Sequence, residues 1–310
     1  MTQSKFTYFF IAFIFFLRVN AQDTLTHNLL WEIKHPNQKQ SSYLFGTIHL
    51  IPTEDFFYPK NTLEKMSLCE KVFFEVDVEK MNDMSTILTL MDKIMMSDGS
   101  SLQDHLEENK YQTIKNYFEK LGLPMMFVDR IKPMFLEILA NPEMNPEDLK
   151  NNKLKSYEME LATEAKTRKL KIDGLETIDY QISIFDSIPY KKQAEQLYQS
   201  IQSSASGDYA SELKKLTNYY KAQNLNALTQ SIEDEDQSMA EHLDLLLNNR
   251  NSNWIPIIEK VTAAKPCFFA VGAGHLGGSK GLISLLKKNG FIVTPVNLSL
   301  IHISEPTRPY

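Results

Sequence analysis

Apolar residues along this chain form short runs broken by polar, glycine- and proline-containing segments, with a long stretch of helical periodicity in the middle. Residues 29–33 and 42–49 read as two strands joined by the polar segment 35–41, the pattern of a hairpin. Residues 61–70 predict a short helix with Asn61 or Thr62 as its N-cap, and 72–76 predict a strand. From 81 to about 230 the pattern is mostly helical. Ser101 to Asp104 resembles a capping box, and Leu102, Leu106, Ile114, Phe118 and Leu121 then share one helical face until Gly122 and Pro124 stop it. Pro133 lies near the start of the next helix, followed by Pro142 and Pro146. Residues 157–168 predict a helix, 171–175 a short strand or edge, and 204–249 more helix, with the acidic run 233–236 read as a solvated helix terminus.

The last third closes a sheet. Residues 254–261 read as helix, and the wholly apolar run 268–271 as a strand buried on both faces. A glycine-rich turn (272–281), a helix (282–288) stopped by Asn289 and Gly290, and a final strand (291–294) complete a βαβ unit. The expected class is α/β, with a large helical insertion, about 81–250, between the two halves of the sheet.

Composition narrows this further. A chain of 310 residues holds one large domain or a domain with a sizeable insertion, and 43% hydrophobic content supplies a real core. The net charge is 33 − 39 = −6, and no basic stripe appears, which argues against a nucleic-acid partner. Lys5, the apolar stretch 6–17 and the small-residue site Val19-Asn20-Ala21 read as a signal peptide over 1–21, leaving a mature chain that starts at Gln22. An uncleaved anchor is the alternative, although the stretch falls short of the ~20 apolar residues of a comfortable span. No later segment reaches spanning length, so the expected product is exported and soluble, periplasmic or extracellular. Residues 298–310 break the style of the chain and read as a translated adaptor fused to an incomplete gene; His302 is therefore set aside and the domain is expected over 22–297. Cys69 and Cys267 each lie just before a proposed strand, leaving open a disulfide or two buried free thiols.

The candidate chemistry comes from a repeated Gly-x-x-His. It occurs as Gly46 to His49 and again as Gly272 to His275, each time at the end of an apolar run, with Glu75 set in a third run, Phe73-Phe74-Glu75-Val76. Glycine permits a sharp turn or a close backbone approach, and a His three residues on can project from the carboxyl end of a sheet. Two neutral imidazoles and a carboxylate suit a divalent metal: manganese, cobalt or zinc, with iron(II) also compatible. Such an ion lowers the pKa of bound water from 15.7 toward roughly 7. Each motif also has a bland reading: His49 as a core histidine, His275 as a bystander in a glycine turn, and Glu75 turned to water with Asp77 and Glu79.

These motifs resemble the TraB/GumN family, which includes the bacterial PrgY pheromone regulators and the animal Tiki proteases. The resemblance runs from about Leu29 to Val296 and takes in Arg130-Ile-Lys-Pro133, then Glu158 with Leu161 and Ala165, then Gly174-Leu-Glu-Thr177 with Gln181, and Arg250-Asn251 with Trp254. It implies an EreA/ChaN-like fold, a mixed β-sheet with flanking helices. It also implies His49, Glu75 and His275 as metal or catalytic residues, Arg250 as a recurrent arginine, and divalent-metal-dependent proteolysis as in the Tiki branch.

Arg250 has two readings, an oxyanion stabiliser or partner of Glu75, and a surface arginine near the C-terminal end of its helix. Glu158 and Glu176 are supporting candidates, as third ligand, orienter or base, against the alternative of exposed acids. Gly46, Gly272 and Gly274 would shape the cofactor site, and His27, His35, His105 and His242 read as surface residues. The leading expectation is an exported metal-dependent hydrolase of peptides or small molecules. Its rival is a binding protein for a peptide signal or for haem or iron.

Overall fold

The computed structural model describes residues 27–80, 84–140, 151–206, 208–234 and 242–296. The expected signal peptide, the C-terminal tail, Pro142, Pro146 and the side chains of the acidic run 233–236 lie outside the described residues.

The apolar runs become strands. β1 (Leu30–Lys34) and β2 (Ser42–Thr47) form the expected antiparallel hairpin, with Leu30 opposite Phe45 and Ile33 opposite Ser42. They are followed by β3 (Leu50–Pro52), β4 (Lys71–Val76), β5 (Leu154–Ser156), β6 (Lys171–Glu176), β7 (Cys267–Gly272) and β8 (Ile292–Pro295). Six of these make one mixed sheet in the order β6-β4-β7-β2-β1-β8. β4 runs parallel to both β6 and β7, and β7 runs parallel to β2; β1 is antiparallel to β2 and β8. The late strand β7 thus lies between two early ones, and β2, β7, β4 and β6 all end on one edge. That is where open α/β sheets place their ligands.

The central strands are apolar because both of their faces are covered. Phe73 of β4 stacks on Phe269 of β7 with ring centroids 5.3 Å apart, and Phe45 of β2 meets Phe268 at 6.3 Å. Tyr157, Tyr220 and Trp254 are fully buried against this sheet. A second core, built from Leu102, Ile114, Phe118, Leu136, Leu197 and Ile201, ties the helices between β4 and β7 together.

Several elements differ from the sequence reading. The segment between β4 and β7 is mainly helical but not one block: β6 returns to the main sheet as its edge strand, and β5 pairs with β3 as a separate ribbon. The helix expected from Ser101 to Leu121 is broken into Leu102–His105 and Glu108–Lys120, and Leu121, at 47% exposure, has left the buried face. The helix expected over 254–261 spans Asn249–Ala264, with Pro256 inside it. Cys69 and Cys267 are free and buried, and burial pushes the Cys267 thiol up to about 11. His242, read as a surface residue, is buried, and its Nε2 has no hydrogen-bond partner among the described residues. No described helix is long and apolar enough to cross a membrane.

Close backbone packing fixes the β4–β6 pair. A Cβ on Gly174, which lies opposite Phe74, would sit 2.6 Å from the Asp77 nitrogen and 2.8 Å from the Glu176 oxygen. Backbone on both sides has little room to yield. Gly174→Ala is expected to lower the free energy of unfolding by about 1–3 kcal/mol in a urea titration; an unchanged midpoint would show that the strands separate without cost.

Candidate active site

The register of β2 on β7 brings the two Gly-x-x-His turns side by side. Gly46 lies opposite Val271 and Thr47 opposite Gly272, so both turns leave adjacent parallel strands at the same edge. Gly46 is required by proximity: a Cβ there would fall 3.2 Å from the Ala273 Cα and 3.0 Å from the Leu276 side chain. Tyr220, from the helix Asp208–Lys221, donates its hydroxyl proton to the Gly46 carbonyl oxygen at 3.0 Å and pins the first turn from above. The amide of Gly272 donates to Glu75 Oε1 at 2.8 Å, joining the second turn to β4 across 197 positions of sequence.

Arg250 gathers the acids. Its Nη2 donates to Glu75 Oε2 at 2.5 Å and to Glu176 Oε1 at 2.7 Å, and its Nε donates to Glu176 Oε1 at 3.0 Å. Its Nη1 donates to the Leu246 carbonyl oxygen at 2.9 Å and reaches His275 Nε2 at 3.1 Å. The guanidinium carbon lies 4.9 Å from the Trp254 ring centroid, and the Trp254 Nε1 proton goes to Glu176 Oε2 at 3.0 Å. Gln181 Nε2 donates to Glu75 Oε2 at 3.2 Å. Arg250 is therefore the buried partner of Glu75, at the start of the helix Asn249–Ala264, and the reading as a C-terminal surface arginine is overturned. Glu176 and Glu75 are also sheltered, which removes the readings of both as solvent-facing acids.

Both imidazoles are tethered through Nδ1. His275 is buried, and its Nδ1 lies 2.7 Å from Asn251 Oδ1. The Asn251 amide is oriented by its own donation to the Lys280 carbonyl oxygen at 3.0 Å, so its Oδ1 accepts the His275 proton. His49 is 69% exposed, and its Nδ1 lies 3.2 Å from Glu158 Oε1. Glu158 in turn accepts from Thr47 Oγ1 at 3.0 Å and Ser156 Oγ at 3.1 Å. The β3–β5 ribbon sets this pair up, because β3 begins just after His49, β5 ends just before Glu158, and Leu50 lies opposite Ser156.

The sequence profile of the TraB/PrgY/gumN family matches residues 29–295. The chain belongs to that family. It is 24% identical over 336 residues to Metalloprotease TIKI2 of Xenopus tropicalis, covering 91% of this chain and 63% of that protein. Identity to Metalloprotease TIKI1 of Danio rerio is 24% over 325 residues, covering 89% and 64%, and to Metalloprotease TIKI1 of Homo sapiens 23% over 327 residues, covering 89% and 63%. The chain thus spans slightly under two thirds of the length of these relatives. No solved structure matches it.

The segments that carry the family resemblance converge on this edge. Glu158 meets His49, Glu176 meets Arg250, and Thr177 caps the helix that presents Gln181 to Glu75. Lys132 of the Lys-Pro segment is buried, with its Nζ 2.8 Å from Asp186 Oδ1. It thereby locks the helix Pro133–Ala140 to the helix Ile178–Asp186. Tyr220 and the role of Asn251 were not anticipated from the sequence; Asn251 lay beside a flagged residue, whereas nothing in the pattern around Tyr220 distinguishes it from a core tyrosine.

The electrostatics of this TraB/PrgY/gumN-family site follow from burial and the ion web. Burial alone would raise the Glu75 pKa, but His275, Arg250, His49 and the Gly272 amide outweigh it and hold the carboxyl at about 2. Burial pushes His275 down to about 4, so its ring is neutral. The hydrogen bond to Glu158 raises His49 to about 9. Burial also raises Glu176, against the pull of Arg250 and Trp254.

For a divalent metal, the donor chemistry fits. Each imidazole is engaged through Nδ1, by a carboxylate or by an amide oxygen, which makes Nε2 the candidate donor atom. This is the way metal-ligating histidines are commonly held. In His275, Nε2 already accepts from Arg250 Nη1 at 3.1 Å, a contact that a metal would have to displace. His275 Nε2 lies 3.6 Å from the ionised Glu75 Oε1. Among the described residues, however, no three His, Cys, Asp or Glu side chains close around a single point. Thr47, His49, Glu75, Arg250, Gly272, Gly274 and His275 all line one cavity of about 640 Å³, whereas Gly46, Glu158 and Glu176 are not among its lining residues.

The sign of the pH dependence follows for the chelator-treated protein. His275 binds a proton near pH 6.5 when unfolded but only near 4 when folded, so its contribution to stability is complete above 6.5 and is lost as pH falls toward 4. The Glu75 contribution is complete above about 4.5 and is lost as pH falls toward 2. His49 acts in the opposite sense: its contribution is complete below 6.5 and is lost as pH rises toward 9. The urea midpoint is expected to decline between pH 6.5 and 4, less steeply in His275→Gln. A midpoint flat across that window would contradict the assignment of His275 as a buried neutral ring.

Proposed function

We propose that this chain is an exported, metal-dependent hydrolase acting on peptide bonds, with an EreA/ChaN-like fold over 22–297, a signal peptide over 1–21 and a non-native tail over 298–310. The observation that carries the reading is the single cavity lined by both Gly-x-x-His imidazoles and Glu75 at the carboxyl edge of the sheet. The printed name of the Tiki relatives, metalloprotease, supports it. His49, Glu75 and His275 would hold the ion, with manganese, cobalt and zinc as the candidates. When bound, such an ion polarises a carbonyl oxygen and yields hydroxide at neutral pH.

The chain's own groups have separate tasks in this reading. Asn251 and Glu158 fix the protons of His275 and His49 on Nδ1, so that each ring would bind through Nε2, which in His275 means displacing the contact from Arg250 Nη1. His49 must give up its charge to act as a ligand, so metal affinity rises with pH. Arg250 holds Glu75 in place and keeps it ionised. The apolar wall of the cavity limits access of bulk water to the reacting bond.

Glu75 is either a ligand or the base that takes the proton of the attacking water. Glu75→Gln separates these roles. Loss of bound metal, measured by elemental analysis, assigns a ligand; retained metal with turnover reduced about 10²–10⁴-fold assigns a base. His275→Ala is expected to lose both metal and peptide cleavage. Wild-type hydrolysis in the His49→Ala, Glu75→Ala and His275→Ala proteins alike would exclude the enzyme reading.

The apolar cavity with an exposed imidazole at its rim also favours a second reading, a non-catalytic binder of a peptide signal or of haem. A Soret shift on haem titration, with no peptide cleavage in manganese, cobalt or zinc, would select it.

A further inference from the structure

The helix Ile178–Asp186 contributes Ile178, Gln181, Ile182, Ile184 and Phe185 to the lining of the cavity, and of these Gln181 alone is polar. Three ties fix the turn that carries it. Asp179 Oδ1 pairs with Lys93 Nζ at 2.6 Å, the Tyr180 amide donates to the Thr177 hydroxyl at 3.2 Å, and the Tyr180 hydroxyl accepts from Asn253 Nδ2 at 3.0 Å. A polar group fixed in this way on a cavity wall is the means by which binding sites orient a ligand.

The hydrogen-bonding capacity of Gln181 is only partly used. A glutamine amide has two donor protons and one acceptor oxygen. Nε2 donates to Glu75 Oε2 at 3.2 Å. An ionised carboxylate only accepts, so Glu75 fixes which edge of the amide faces it, and Oε1 is the opposite corner. Oε1 accepts no hydrogen bond from the described residues. Glu75 stands at the reacting end of the cavity, which puts that corner within one or two residues of extended chain, roughly 3.5 Å each, of the reacting bond. An amide oxygen that gives up water when a ligand enters, and gains no new donor, costs free energy. The backbone N–H of a secondary amide supplies that donor. A proline or an N-alkylated residue does not.

We propose, resting on the hydrolase reading above, that Gln181 is a substrate-binding residue whose Oε1 accepts the backbone N–H of a peptide group one or two residues from the scissile bond. The substrate class is thereby narrowed to chains with a secondary amide at that place, and proline or an N-methylated residue is rejected there. Glu75 holds the amide in its accepting orientation, so one carboxylate serves both the chemistry and the reading of the substrate backbone.

The test is an N-methyl scan. One fluorogenic peptide, methylated at each non-scissile backbone nitrogen in turn, is cleaved by the full chain with manganese. In the wild-type protein one position within two residues of the cleaved bond is expected to lose about 10-fold or more in kcat/KM. In Gln181→Met and Gln181→Leu, methylation at that same position is expected to cost less than about 3-fold, while the penalties elsewhere stay as they were. Loss of the contact to Glu75 alone would lower every peptide by the same factor and would not move this ratio. Equal penalties in wild type and variants, or no internal penalty in the wild type, overturn the role of Gln181 and leave the hydrolase reading intact. If neither variant folds, the wild-type scan decides alone. If no peptide is cleaved, hydrolysis fails, and equilibrium binding of the same peptides decides the role of Gln181 by the same ratio.

Discussion

Glu75 and Glu176 leave adjacent strands of one sheet and end beside each other out of bulk water, an arrangement that two carboxylates do not tolerate alone. Arg250 resolves it. One guanidinium donates to both acids and to the Leu246 carbonyl, and lies against Trp254. Desolvating such ions costs several kcal/mol each, and only close, hydrogen-bonded geometry offsets it. The arginine sits on the helix Asn249–Ala264, which continues without a break from helical backbone at Asn248. The preceding π-helical segment Asp244–Asn248 carries the Leu246 carbonyl that accepts from Nη1; such segments recur at functional sites.

From that ion web the rest of the site follows. Glu75 is held ionised and bonded to the Gly272 amide, which ties β4 to the second turn. The parallel pairing of β7 with β2 then carries the second turn to the first. His275 stays neutral because it is buried, while His49, at the rim and against Glu158, carries its proton to higher pH. Two imidazoles of the same motif therefore enter the cavity in different charge states. Their difference comes from depth and from the partner on Nδ1, an amide oxygen in one case and a carboxylate in the other.

The strands of the sheet were legible because a strand covered on both faces must be apolar throughout, as 268–271 is. The paired glycines were legible too: a Cβ on Gly46 would crowd the Ala273 backbone, and one on Gly272 would crowd the Glu75 carboxylate. The order of the strands was not written in the local pattern: that β7 lies between β2 and β4 depends on long-range pairing. The β3–β5 ribbon escaped notice because two three-residue strands are too short to show alternation. The inward turn of Arg250 and Asn251 was also hidden. Asn249-Arg-Asn-Ser-Asn253 has the polarity of a loop, yet Arg250 and Asn251 turn inward to partners that exist only in the folded sheet. Polar residues that are buried for a purpose look like surface residues until their partners are known.

A double-mutant cycle on Arg250→Met and Glu75→Gln, read as free energies of unfolding in urea with chelator present, tests the central claim most directly. If the guanidinium is what makes the buried carboxylate tolerable, the two substitutions are strongly non-additive, with an interaction energy of about 1–3 kcal/mol. Additivity to within about 0.5 kcal/mol would mean that the two groups do not depend on each other, and the account of how this site is held together would be wrong.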